Sequence, residues 1–230
     1  MTLKDPIFME RLDRDGYTVV KQVFSTNEIA QLRGEARALL DSKSRKMNGG
    51  LCHGPVCHES DLAKRLLQEP RLAFGEGGEL PRQIHVHANT YNYWHADLHP
   101  LNQNDLSSAA WMYKVVIYLQ DHSVRDGLSV IPHSHKQGNT IYQPLHVCTR
   151  AGDIAVFHRS IQHAGRLPNA VLGNIASRLY RLRVIDTPGR LYWLQNLFQL
   201  TCDIERLAIF LYYVAICDLP KYYDEPRASI

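Results

Sequence analysis

The spacing of apolar positions changes along this chain, and the change separates a helix-containing opening from a β-rich remainder. Ile29, Leu32, Ala36 and Leu39 recur at the steps of an amphipathic helix. Ser25 and Glu28 stand where a capping box would start that helix, each side chain satisfying an orphan backbone donor. Upstream, YTVVKQV is β-branched or aromatic and predicts a strand, preceded by a short helix that ends at Gly16. The opening therefore reads helix, strand, helix. Residues 44–58, SRKMNGGLCHGPVCH, are glycine-rich and polar and predict a loop. A helix follows through LAKRLLQEP and stops near Pro70.

Beyond that point the apolar residues come in short bursts. IHVHANTYNYW, WMYKVVIYL, GLSVI, IYQPLHV and DIAVF are strand-like and separated by Gly, Pro, Asp or Asn. A last strand, RLAIFLYYV at 206–214, is reached through a stretch from 171 to 200 that reads as mostly helical. Many short strands with turn residues between them predict a sandwich or barrel. Tyr91, Tyr93 and Trp94 are expected in its wall, and of Tyr212 and Tyr213 one should face inward.

Composition narrows the class. The 230 residues are 45% hydrophobic and 21% charged, enough for a buried core, with no repeat or linker that would divide them. A net charge of +3 from scattered basic residues does not provide the basic face that nucleic acid needs. The amino terminus, MTLKDPIFMERLDRDG, carries charges where a signal peptide is apolar. The most apolar segment is interrupted by Asp203, Glu205 and Arg206, so no membrane span is expected. Five cysteines without framework spacing fit reduced thiols and a cytoplasmic protein.

The candidate chemistry begins at WHAD. His95 and Asp97 are alternate residues and would project from one side of a strand. That suits two corners of a two-histidine, one-carboxylate facial triad for Fe(II), which leaves positions open for oxygen and a co-substrate. An isolated H-x-D is most often an unremarkable surface pair, so the reading requires a third ligand from another strand. His163, in the loop after the strand IAVF of GDIAVFHRSIQH, is the best candidate. Lys114 lies in an apolar strand and is expected to approach the co-substrate, to pair with a carboxylate or to point outward. CHGPVCH offers Cys52, His53, Cys57 and His58, but its spacing is at the edge of structural zinc sites and no second ligand pair follows. It reads as a surface loop, or as one near the pocket mouth.

Four segments in order give the chain a family resemblance. RLDRDGYTVVKQVFSTNEIAQLRGEARALL, WHAD, YKVVIYLQDHSVRDGLSVIPHSHK and GDIAVFHRSIQH resemble the phytanoyl-CoA dioxygenase family of Fe(II)- and 2-oxoglutarate-dependent oxygenases. The resemblance implies a mainly β fold with flanking helices around a double-stranded β-helix, a jelly-roll of the cupin-like kind. It implies one domain over 1–230, with helical support at 1–75, a barrel core at about 80–165, an insertion at about 166–205 and a closing strand at about 206–214. It makes His95, Asp97 and His163 the metal ligands and leaves His99, His133, His135 and His158 outside the ligand set. His133 departs from the pattern, since the family has glycine there, and could face the pocket.

The family also anchors the distal carboxylate of 2-oxoglutarate with an arginine, whose planar fork matches a carboxylate. Arg178 and Arg206 compete for that role, and Arg206 is preferred because it opens the better strand. The implied reaction is hydroxylation of a small molecule by O2, releasing succinate and CO2; an acidic ligand such as Asp97 favours oxygenation over halogenation. Two other readings use the same barrel: a metal enzyme without 2-oxoglutarate, and a non-catalytic binding module. The arginine discriminates against the first, and retention of all three ligands weighs against the second. Arg45, Lys46, Arg166, Arg178, Arg181 and Arg183 suggest an anionic substrate, and a solvated insertion explains the same charges.

Overall fold

A computed structural model describes residues 3–47, 50–56, 60–75, 77–90, 94–97, 112–122, 127–136, 143–165 and 206–213. The opening follows the expected order. Helix α1 (Pro6–Asp15) starts at Asp5, whose side chain accepts from the Ile7 amide, and ends at Gly16 in the left-handed region. Strand β1 (Tyr17–Val20) leads to α2 (Thr26–Lys43), where Ser25 and Glu28 close the capping box. Ile29, Leu32, Ala36 and Leu39 are buried along one face of α2, as the periodicity required. A short α3 (Asp61–Leu67) and a 3-10 turn (Pro70–Leu72) complete the helical side.

The expected loop at 44–58 is instead two paired strands, β2 (Arg45–Met47) and β3 (Gly50–Val56). Its glycines are there for close approach. A methyl on Gly50 would collide with the Ala88 carbonyl oxygen, and one on Gly54 would lie 2.8 Å from the His85 ring. Glycine content alone was therefore misleading at this edge.

The remaining strands are β4 (Gln83–Ala88), β5 (Tyr113–Tyr118), β6 (Leu128–Val130), β7 (Leu145–Val147), β8 (Ile154–His158), β9 (His163–Ala164) and β10 (Leu207–Tyr212). They form a seven-stranded sheet in the order β1-β8-β5-β10-β4-β3-β2 and a three-stranded sheet in the order β7-β6-β9. Every pairing is antiparallel. This is the double-stranded β-helix architecture, and three strands that precede residue 75 belong to its large sheet. The candidate helix at 171–200 and the insertion at 166–205 lie outside the described residues.

The two faces of the large sheet differ. On the outer face Ile84, Val86, Val115, Ile117, Val156 and Ile209 join Phe8, Leu12, Leu32 and Leu66 of the helices in one apolar core. On the inner face Val116, Tyr118, Ala155, Phe157, Ala208 and Phe210 pack toward Leu128 and Val130 of the small sheet. Strand alternation produces this division. Tyr213 faces the helices, its hydroxyl donating to the Leu72 carbonyl, while Tyr212 faces inward near Lys114.

Candidate metal centre

His95 and Asp97 do not end β4, which stops at Ala88. The segment 94–97 instead extends the small sheet. The His95 amide donates to the His163 carbonyl at 3.0 Å, and the His163 amide returns a bond to His95 at 2.9 Å. The Asp97 amide donates to the Arg159 carbonyl at 2.8 Å. Two of the candidate residues are thus zipped together through their backbones, and the third is held by the turn after β8. Backbone placement of this kind would set the geometry of a metal site before any ion binds.

The side chains converge. One ligand atom from each of His95, Asp97 and His163 lies within 4.8 Å of the others. Asp97 Oδ1 is 3.4 Å from His95 Nε2 and 3.8 Å from His163 Nε2. His163 Nδ1 lies 2.9 Å from the Ile161 carbonyl, and a proton donated there leaves Nε2 as the lone-pair nitrogen on the Asp97 side. Burial lowers the His163 imidazole to about 4, against the pull of Asp97, so it is neutral at pH 7. Two imidazoles and one carboxylate on one side of a site fit the donor set for Fe(II).

Asp97 Oδ2 is occupied differently. Lys114 Nζ donates to it at 3.0 Å from β5, beneath Phe157, Phe210 and Tyr212. Burial alone would raise the Asp97 carboxyl, but Lys114, His163 and His95 hold it well below the usual carboxylate range. Burial likewise disfavours the Lys114 cation, yet Asp97 raises it above its ordinary value. Lys114 therefore fixes the carboxylate with Oδ1 turned to the histidines. The sequence left this lysine either a partner or an outward direction; the structure pairs it with Asp97, one of the three candidate ligands.

Arg206 is buried at the start of β10. Its amide donates to Asn89 Oδ1 at 2.9 Å and its Nη1 to the Thr90 carbonyl at 3.0 Å. Among the described residues its Nε has no hydrogen-bond partner. A methyl on Gly165, next to β9, would lie 2.9 Å from Nη1, so the guanidinium occupies the space beside the strand that carries His163. A buried cation with spare donors is suited to receive an anion. Arg178 lies outside the described residues, as do Tyr91, Tyr93, His99, Cys57 and His58.

The remaining histidines separate from the triad. His133 takes a positive φ of 64°, the conformation a glycine would favour, and its Nδ1 lies 2.8 Å from the Arg14 carbonyl at the end of α1. His135 reaches the Asp13 carbonyl, and the His158 ring packs between Tyr113 and His135. His53 bonds the Lys43 carbonyl and does not face Cys52. Cys52 is instead grouped with His85 and His87 of β4, two residues that the sequence reading passed over. Their H-x-H alternation was the available signal. Burial, then Lys114, lowers His85 to about 4, and the same causes lead in lowering His87.

No family model matches the chain. It is similar to the ectoine dioxygenase of Stutzerimonas stutzeri, 26% identical over 153 residues, which is 56% of this chain and 49% of the relative. The ectoine dioxygenase of Sphingopyxis alaskensis is also 26% identical, over 145 residues, 54% of this chain and 47% of the relative. The chain thus spans about half the length of the curated relatives it matches. Among solved structures, the non-heme alpha ketoglutarate dependent epimerase SnoN superposes with a TM-score of 0.61 at 21% identity, over 90% of this chain and 83% of that one. EctD from S. alaskensis with 2-oxoglutarate and 5-hydroxyectoine gives 0.60 at 18% identity, over 91% and 76%. HygX from Streptomyces hygroscopicus, with nickel, 2-oxoglutarate and hygromycin B, gives 0.60 at 14% identity, over 90% and 86%. These likenesses carry the fold, and the ectoine dioxygenases support the resemblance to the phytanoyl-CoA dioxygenase-like oxygenases. Among the described residues no helix is long and apolar enough to cross a membrane.

Proposed function

We propose that this chain is an Fe(II)- and 2-oxoglutarate-dependent oxygenase that hydroxylates a small-molecule metabolite with release of succinate and CO2. The observation that carries the reading is the convergence of His95, Asp97 and His163 beside a buried arginine with unused donors. His95, Asp97 and His163 would hold the iron, and Arg206 would hold the distal carboxylate of 2-oxoglutarate. Bound iron supplies the oxidative chemistry, using O2 and the co-substrate.

The chain's own residues do four things around it. The His95–His163 backbone pair and the Arg159 carbonyl fix the ligand positions. Lys114 keeps Asp97 ionised and holds its second oxygen, so that one oxygen is presented for binding. Arg206, kept in place by Asn89 and Thr90, orients a dianionic co-substrate. Phe157 and Phe210 line the inner face and exclude water from the reacting region. The named relatives support a small polar substrate: one structure holds 5-hydroxyectoine and another hygromycin B.

We further read residues 1–230 as one catalytic domain acting in the cytoplasm, with free Cys52 and Cys148 in keeping with reduced thiols. The test is succinate release from 2-oxoglutarate by the iron-loaded protein across a panel of anionic and neutral metabolites. Substrate-dependent succinate that disappears in Asp97→Ala supports the reading. Metal binding without any 2-oxoglutarate turnover would favour a barrel enzyme that does not use this co-substrate.

A further inference from the structure

The inner face of the large sheet carries a second group of metal-ligand atoms, away from the triad. Cys52 of β3 is directly opposite His87 of β4 in the strand register, so the two side chains emerge on the same face. His85 shares that face two residues earlier. Cys52 Sγ and one nitrogen of each imidazole lie within 4.8 Å of one another. The Cys52 Sγ to His87 Nε2 separation is 3.5 Å. A tetrahedral ion at about 2.3 Å from sulfur and about 2.0–2.1 Å from nitrogen would hold those two atoms about 3.5 Å apart.

Hydrogen bonding alone accounts for only part of this arrangement. His87 Nδ1 lies 3.3 Å from Thr90 Oγ1, and a proton shared there leaves Nε2 as the free lone pair toward Cys52. His85 Nε2, however, is buried and among the described residues has no hydrogen-bond partner. A buried polar atom of this kind needs an explanation, and a bound ion supplies one. The backbone also makes room for the His85 ring: β3 bulges between His53 and Val56, and Gly54 there leaves the space that a side chain would fill.

We propose that Cys52, His85 and His87 form a second cation site, selective for a borderline ion of the zinc class and with a fourth position open to the sheet interior. One thiolate and two neutral imidazoles suit such an ion better than the oxygen-rich ligand sets of magnesium or calcium. Three positive charges lie near it: Lys114, compensated by Asp97 at 3.0 Å; Arg45, opposite Cys52 on β2, exposed to water and acting to favour the thiolate; and Arg206, which with Lys114 favours the neutral His87 imidazole. An ion here ties β3 to β4 just before Asn89 and Thr90, which hold Arg206.

Cobalt(II) reports directly on the site, because a thiolate bound to it absorbs in the near ultraviolet and an imidazole or carboxylate does not. The full chain, freed of metal, is titrated with cobalt(II), and bound metal is counted by elemental analysis. Wild type should bind two equivalents and show the thiolate band. The His95→Ala/His163→Ala variant, which leaves Asp97 beside Lys114, should keep the band with one equivalent, so the test does not depend on the folding of a Cys52 variant. Cys52→Ser and His87→Ala should each lose the band and one equivalent, and added zinc should bleach it in wild type. One equivalent without a thiolate band in wild type would overturn the proposal, as would two equivalents without the band. Neither result bears on the triad, whose occupancy is read separately in Cys52→Ser.

Discussion

The two faces of the large sheet are built from alternate residues of the same strands and differ in what they tolerate. In β5, Val115 and Ile117 point into the helical core, while Lys114 and Val116 point to the interior between the sheets. In β4, Ile84 and Val86 face the core, and His85 and His87 face inward. The outer face is a packing problem, settled by volume and shape. The inner face gathers titratable groups that burial would otherwise penalise, such as Lys114, held by Asp97, and Arg206, held by Asn89 and Thr90. Fold stability and site chemistry are thus separable by single substitutions one residue apart.

The sharpest test of that separation exchanges its two sides. His163→Ala should weaken metal binding by more than about 100-fold, since even the loss of an outer-shell partner costs about 10- to 100-fold. The thermal midpoint of the metal-free protein should change little by comparison. Ile209→Ala on the outer face should do the reverse, lowering stability by about 2–5 kcal/mol while the folded fraction keeps its metal stoichiometry. Denaturant melts combined with metal counting would check both. If Ile209→Ala removed the metal while the protein stayed folded, the two faces would not be independent.

Within the inner face, Arg206→Met should weaken 2-oxoglutarate binding by about 10- to 100-fold, the worth of charge-assisted hydrogen bonds. Metal binding in the absence of the co-substrate should be unchanged, as equilibrium dialysis would show. Lys114→Met should lower metal affinity by about 10-fold, because the Asp97 carboxylate loses the group that orients it.

The smallest effect concerns pH. His158 is partly shielded between Tyr113 and His135, and burial lowers it to about 4. Its stabilising contribution is complete above about 6.5, because neither state is then protonated. It is lost as pH falls from about 6.5 to about 4, where the unfolded chain takes up a proton that the folded chain refuses. His158→Gln should reduce the acid slope of stability in that window by about 1 kcal/mol per pH unit, measured by urea melts of the metal-free protein.

Local signals explain what was legible in the sequence. The capping box at Ser25 and Glu28 and the stripe on α2 are encoded by neighbours, so they could be read from the sequence. Strands β5, β8 and β10 were legible from dense β-branched and aromatic runs. Strands β2 and β3 were not, because Gly50 and Gly54 serve close packing against β4, a contact far away in sequence. The triad residues were identified by motif, but the attachment of residues 94–97 to β9 in place of β4 depends on backbone bonds to His163 and Arg159. The pairing of Lys114 with Asp97, and the grouping of Cys52 with His85 and His87, likewise arise only when the strands are assembled.

The central claim is that the triad and Arg206 together make a site for iron and 2-oxoglutarate. Anaerobic titration of 2-oxoglutarate into the Fe(II)-loaded protein, followed by the visible charge-transfer absorption of the chelated co-substrate, tests it most directly. Wild type should develop the band, His163→Ala should not, and Arg206→Met should need about 10- to 100-fold more 2-oxoglutarate to reach it. Absence of the band in wild type at saturating 2-oxoglutarate, or an unchanged titration in Arg206→Met, would contradict the account.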